Sequence, residues 1–389
     1  MLRIHPRTAT NEQAPAWIEI DLGAVRANVA AIRRRLQPGC QLIAVVKANA
    51  YGHGMLEIAR TVLAAGAQRL AVASVAEGIA LRDAGIRAPI LIAGPSLPSQ
   101  AGEILQHGLT ATVGSLELAA ALQRRAEHDL GIEIEVDTGM RRHGLLPADA
   151  IALANRLRRS GRLRLDGVYT HFRGLTRRDE PDLVTQWAEF AATAATIRRS
   201  WPDLRVHACN TLGTALLPAA HADAVRIGGG LYGFDPAGTK ALAIRPALSL
   251  HTRIAAIREL QRGDQVGYGG TFTAERPLRL ALLPIGYGDG LPRAAWQDAD
   301  ILVAGRRAPV VGLISMNQTL IDATGIPCRI GDVAILLGRQ GDLRITAEER
   351  TTAGSSVYET TTLLGPRLPR CFRDRLSAAT TPDRRQDQG

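Results

Sequence analysis

Eight short apolar runs separated by segments of helix length constrain the fold of this chain more than any other feature. The runs are Leu42–Val46, Leu70–Ala73, Ile90–Ala93, Thr110–Val113, Ile132–Val136, Gly167–Thr170, Val206–Ala208 and Ala224–Ile227. Between them lie amphipathic segments such as Met55–Ala65, Val75–Ala84, Leu116–His128, Ala148–Arg159 and Leu183–Ser200. Leu42–Val46 shows no alternation of polar and apolar positions and reads as a strand buried on both faces. Strands alternating with helices imply a parallel sheet, and eight is the number that closes a barrel. The expected fold is therefore α/β, a (β/α)8 TIM-like barrel.

After Pro246 the pattern changes. Ser249–Ile257, Gln265–Tyr268, Leu278–Pro284, Ile301–Val303, Val310–Ile314, Thr319–Asp322 and Val333–Leu337 read as strands punctuated by Gly, Pro and Asp. Only Thr346–Ala353 suggests a short helix. This predicts a second, mostly β C-terminal domain over 246–376, following a barrel over 22–245, with a disordered polar tail at 377–389.

Composition narrows the function classes. At 389 residues, 46% apolar and 22% charged, the chain has the make-up of an ordinary globular protein. No apolar run has the length of a membrane span, and Met1 to Pro15 lacks a signal-peptide core, so no membrane association and a cytoplasmic location are expected. The formal charge of +10 raises the question of nucleic acid, but aromatics make up only 4% and no nucleic-acid module is visible. Cys40, Cys209, Cys328 and Cys371 are too scattered for a zinc site, so no metal is expected.

In a barrel, reacting residues gather where strands end. Lys47 ends the first run. Burying an unpaired ammonium is costly, so this lysine pairs, loses its proton or reacts. It is one of two lysines, with Lys240, among 47 Lys plus Arg. Lysine forms imines and arginine does not, so an imine-forming and a salt-bridged Lys47 both fit the residues. His171, Asn210-Thr211 and Arg226 to Gly228 end later runs. Taken singly, His171 also reads as a hydrogen-bonded barrel histidine, Arg226 as a surface residue, Tyr51 as packing and Tyr268 as a bulge tyrosine.

Taken as an ordered set, the motifs Val45-Val46-Lys47-Ala48-Asn49-Ala50-Tyr51-Gly52-His53-Gly54, Val136-Asp137-Thr138-Gly139-Met140, Thr170-His171-Phe172, Val225-Arg226-Ile227-Gly228, Gly267-Tyr268-Gly269, Ile285-Gly286-Tyr287-Gly288-Asp289-Gly290 and Tyr358-Glu359 resemble the alanine racemases. The resemblance runs from about Trp17 to Arg373. It implies a first strand, Trp17 to Asp21, that joins the β-domain, and a pyridoxal 5'-phosphate enzyme working as a homodimer on an amino-acid substrate. Lys47 would hold the cofactor and serve as one acid/base group; Tyr268 of the partner subunit would be the other. His171 would orient Tyr268 and be linked to Arg226, which would donate to the pyridine nitrogen. Tyr51, Thr211, Tyr358 and amides near Gly228, with Asn210 beside them, would hold the phosphate. Arg142, Met316 and Tyr287 would meet or admit the substrate.

Three departures accompany the resemblance. Glu135 stands where most of the family has a lysine, often carbamylated, and is expected to steer Arg142 or Arg141 by its own charge. Ser315-Met316-Asn317 replaces Cys-Met-Asp. The stretch Phe172 to Arg178 is longer and more basic than usual. A more positive pocket is expected from them, with alanine the leading substrate and serine or another polar amino acid the alternative. A decarboxylase of the same architecture is disfavoured by Arg226, and a barrel-only cofactor-binding protein by the β-domain.

Overall fold

The computed structural model describes residues 14–126, 130–160, 163–235, 238, 241–352 and 354–374. The expected disordered tail at 377–389 lies outside them. The first strand, β1 (Ala16–Asp21), leads into a helix capped by the Asp21 carboxylate, which accepts the Ala24 amide. Eight parallel strands then close a barrel: β2 (Gln41–Val45), β3 (Arg69–Val72), β4 (Ile90–Ile92), β5 (Thr110–Val113), β6 (Leu130–Glu135), β7 (Leu163–Tyr169), β8 (Arg205–His207) and β9 (Ala224–Ile227). The (β/α)8 expectation holds.

Most of the apolar core lies between the strands and the surrounding helices. Inside the barrel the apolar cluster is small, built on Ile43, Ala71, Leu91, Tyr169 and Ala224. The remaining interior is charged. Alternate residues of β6 point inward, and these are Glu133 and Glu135, both buried. Arg69, His207 and Arg226 are buried with them.

β1 leaves the barrel. It pairs antiparallel with β10 (Leu248–Arg253) and parallel with Arg370–Arg373, inside a seven-stranded sheet. A three-stranded sheet of Ala256–Leu260, Leu278–Leu283 and Thr319–Asp322 packs in the same C-terminal domain. Two strand expectations fail there. Ser249–Ile257 divides at Ile254-Ala255, and Val310–Ile314 forms only an isolated bridge at Val310 because Gly312 turns the chain at φ +64°. Arg306–Pro309 is a strand the sequence conceals. It has no β-branched residue, and the Ala304-Gly305 turn, with both φ positive, pairs it with Asp300–Val303. The expected helix at 346–353 is reduced to a single turn at Glu348–Arg350, and the helix that matters is Val357–Thr362.

Candidate active site

The site is built where β2 ends. From Ala48 to Tyr51 the backbone takes the left-handed conformation at four successive non-glycine residues, with φ between 52° and 55°. Each costs about 1–2 kcal/mol, so surrounding bonds must enforce the turn. Glu77 caps its own helix with Ser74 and also accepts the Ala48 amide at 2.6 Å. The Asn49 carboxamide accepts the Met55 amide at 2.9 Å. Tyr232 donates to the Val45 carbonyl at 2.8 Å, fixing the strand end. Thr361 presses its carbonyl against Gly52, where a Cβ would sit 2.1 Å from that oxygen. The turn thus holds Lys47 and Tyr51 at the barrel mouth. Burial, and then the nearby Arg142 charge, lower the Lys47 pKa, with Glu77 opposing.

Tyr51 projects onto Gly228. A Cβ there would lie 2.4 Å from the Tyr51 hydroxyl, and one on Gly229 would lie 2.7 Å from the Tyr358 ring. The two tyrosine rings meet edge to face at 5.6 Å. Burial raises the pKa of both phenols, so they remain protonated donors. Thr211 Oγ1 accepts the Gly230 amide at 3.1 Å, leaving its own proton to give. This donor set suits an anion. Asn210 acts one step back: its side chain accepts the Gly213 amide at 2.9 Å and caps the helix that carries Thr211.

Arg226, 5% exposed, ends β9 inside the barrel mouth. It donates through NH1 to His207 Nδ1 at 2.7 Å and through NH2 to the Thr170 carbonyl at 2.7 Å. A longer contact of 3.4 Å joins NH2 to His171 Nδ1. Its Nε makes no hydrogen bond among the described residues. Burial, reinforced by Arg226, holds the His171 pKa at about 3. A neutral His171 whose Nδ1 faces a guanidinium carries its proton on Nε2.

Behind Arg226 a column of charge runs down the barrel. His207 donates from Nε2 to Glu133 at 2.8 Å, and Glu133 accepts Arg69 at 2.9 Å. Burial alone would raise the Glu133 pKa, but His207, Arg69 and Arg205 hold it at about 2. Burial brings His207 down to about 4, so it stays neutral with its tautomer fixed by Glu133. Removing one member of a buried charged set strands the others. Glu133→Gln is accordingly expected to destabilise the barrel by about 3–5 kcal/mol, read as a lowered urea midpoint; a loss below about 1 kcal/mol would mean the column is structurally idle.

The buried His53 and His207 and the half-buried His171 make stability depend on pH. His53 and His207 titrate at about 4 and His171 at about 3, against 6.5 for the free side chain. The unfolded chain binds these protons first, so stability is complete above about pH 6.5 and declines as pH falls toward 4 and 3. The thermal midpoint should be level above pH 7 and drop below 6.5; a midpoint independent of pH between 7 and 4.5 would contradict this.

The family descriptions Alanine racemase, N-terminal domain and Alanine racemase, C-terminal domain match residues 20–236 and 247–372. The chain belongs to the alanine racemase family. It is an isomerase. It is 39% identical over 368 residues to the alanine racemase of Symbiobacterium thermophilum, covering 92% of this chain and 97% of that protein. Against the alanine racemase of Halothermothrix orenii it is 34% identical over 370 residues, covering 93% and 98%. Among solved structures, the Bacillus anthracis alanine racemase with bound L-Ala-P superposes with a TM-score of 0.86 at 33% identity, covering 94% of this chain and 97% of that one.

The structure brings Lys47, Tyr51, His171, Asn210, Thr211, Arg226, Gly228 and Tyr358 to one end of the barrel. It does not bring the expected substrate-side residues Tyr268, Met316 and Tyr287 into hydrogen bonds with them. Those three are exposed on the β-domain, Tyr268 at 69% and Met316 at 56%. Gly286 and Gly288 pack on the Met316 backbone, so Tyr287 and Met316 are neighbours. Arg142 is exposed and forms no hydrogen bond or ion pair among the described residues.

Glu135 departs from expectation. Its Oε2 lies 2.6 Å from His143 Nδ1 and 3.4 Å from the Tyr169 hydroxyl, and neither Arg141 nor Arg142 is its partner. Arg141 turns to Asp137 at 3.6 Å. Glu135 points into the barrel, and His143 is the side chain that reaches back to it. The basic loop is also milder than its composition suggests, because Arg173 is paired by both carboxylate oxygens of Asp182.

Sequence reasoning overlooked Glu77, Glu133, Tyr169 and His207. Two signals were present: Ser74-Val75-Ala76-Glu77 has capping-box spacing, and Ile132-Glu133-Ile134-Glu135 sets two acids at inward positions of a barrel strand.

Proposed function

We propose that this chain is a cytoplasmic enzyme that interconverts L- and D-alanine with pyridoxal 5'-phosphate as cofactor, and that it works as a homodimer in which Tyr268 of the partner subunit completes each site. The carrying observation is a lysine of lowered pKa at the same barrel mouth as Arg226, an arginine whose Nε is left without a partner among the described residues. The residues fit the cofactor. Tyr51, Tyr358 and Thr211 form a neutral donor set around the glycines at 228–230, where a single Cβ would collide with Tyr51.

When bound, the cofactor supplies an electron-withdrawing ring that acidifies the substrate's α-proton. Lys47, its pKa lowered by burial and by Arg142, takes or returns that proton at Nζ on one face. Tyr268 of the partner subunit serves the other face through its hydroxyl. A phenol titrates at about 10 unaided, so it needs a donor to act as a base, and the Nε2 proton of His171 is the one available. Arg226 would face the ring nitrogen as a hydrogen-bond donor that does not give up its proton, because a guanidinium holds it far above neutral pH. Arg142 offers its charge to the substrate carboxylate, and the exposed Tyr268, Tyr287 and Met316 form the surface onto which the partner docks.

α-Proton exchange in D2O, followed by NMR over a panel of L- and D-amino acids with added cofactor, tests this reading. Exchange with inversion should be fastest on alanine. Exchange confined to serine or another polar amino acid would keep the chemistry and move the substrate. No exchange on any of them would remove the racemase reading.

A further inference from the structure

At the end of the barrel away from Lys47, the strands begin around a second cavity of about 540 Å³. Its wall includes Arg69, Arg82, Arg87, Arg164 and Arg205, with Asp166 the one carboxylate lining it among the described residues. Arg69 begins β3 and Arg205 begins β8, so the cavity is the barrel's N-terminal mouth. Among the described residues the wall carries five guanidiniums, against Asp166 in the wall, Glu133 beneath it and Asp223 acting on Arg205.

The use each arginine makes of its donors sharpens the imbalance. Arg164 is held by both oxygens of Asp166, at 2.5 and 3.2 Å. Arg82 spends its donors on neutral carbonyls, those of His107, Ile86, Ala88 and Gly108. Arg205 reaches Glu133 only at 3.8 Å; the Arg69 charge beside it is repulsive, while Glu133, Asp166 and Asp223 attract it from a distance. Arg87 is exposed and forms no hydrogen bond or ion pair among the described residues. Arg69, 4% exposed, gives NH1 to Glu133, while its Nε is buried with no acceptor. A buried N–H without a partner costs about 1–3 kcal/mol, and here it belongs to a side chain lining a cavity of like charge.

We propose that this N-terminal mouth is a binding site for a phosphate-bearing anion. Guanidinium forks match phosphate oxygens in pairs. The volume falls within the range of small-molecule pockets, roughly 300–1,000 Å³, so it has room for an organic phosphate beyond the anionic group itself. The site is separate from the recess at Gly228, which lies at the opposite ends of the strands.

Inorganic pyrophosphate is a suitable probe. Titrated by calorimetry into the full-length protein, with excess pyridoxal phosphate present and chloride fixing the ionic strength, it should bind saturably with one site per chain. Arg87→Ser and Arg205→Gln should each weaken that binding about tenfold or more. Arg87 is exposed and unpartnered, so its variant should retain the wild-type unfolding midpoint. Absence of saturable binding, or binding that neither substitution changes, would overturn the assignment. Tyr358→Phe separates the two anion sites: pyrophosphate binding should survive it, and loss of binding in that variant would relocate the probe to the Gly228 recess.

Discussion

Alanine at position 47 should reduce α-proton exchange on alanine by about 10⁴ or more, since the change removes both an acid/base group and the cofactor's attachment point. The chain has no ready substitute. Its other lysine is Lys240, and none of its many arginines can form the same bond or give up its proton near neutrality. The turn that presents Lys47 is held by Glu77, Asn49 and Thr361, none of which bonds to the Lys47 side chain, so the variant should fold. The measurement is NMR exchange in D2O, with visible absorption of the gel-filtered protein as a second readout of retained cofactor. A fall of less than tenfold would remove Lys47 from the reaction.

Tyr268→Phe should cost about 10²–10³ in racemisation, and the residual activity should be one-sided. With Lys47 intact, one enantiomer should still exchange its α-proton without inverting, because a single base returns deuterium to the face it deprotonated. Complementation is the stricter test. A subunit carrying Lys47→Ala keeps Tyr268, and one carrying Tyr268→Phe keeps Lys47. If each site draws one residue from either subunit, random mixed dimers hold one whole site in half of the population. Activity should then recover to about a quarter of wild type. Mixtures that stay as inactive as their parents would rule out shared sites. The 69% exposure of Tyr268 in the isolated chain is what the shared arrangement requires.

The barrel was legible because most of its strands are short, largely apolar runs spaced by segments of helix length, and the runs differ from the strands mainly by a residue or two at either end. β7 is the exception. Its first half, Leu163 to Asp166, alternates with the charged Arg164 and Asp166, so it reads as a loop until the arginine mouth explains the charges. The residues meeting at Lys47 were legible as motifs. Their supporting groups were not, because Glu133, His207 and Arg226 lie on three strands far apart in sequence and become neighbours only when the barrel closes. Glu135 was read as a partner for Arg142 or Arg141 because it stands where most of the family has a lysine, often carbamylated, whose charge positions an arginine. Direction decided otherwise, since its side chain points inward, where His143 and Tyr169 reach it.

The first strand carries a consequence for synthesis. β1 leaves the ribosome ahead of the whole barrel, yet its two neighbours are Leu248–Arg253 and Arg370–Arg373. Its edges stay unpaired while more than half of the chain is made, and unpaired edges invite association with other chains. The barrel strands pair in chain order and need no late segment until β9 closes onto β2. Tyr358, which packs against Gly229 beside the Gly228 recess, lies between the two late partners of β1, on the helix that precedes the second. The barrel can therefore assemble during translation, whereas Tyr358 joins the Gly228 recess only after the β-domain strands through Leu343–Ile345 have been made.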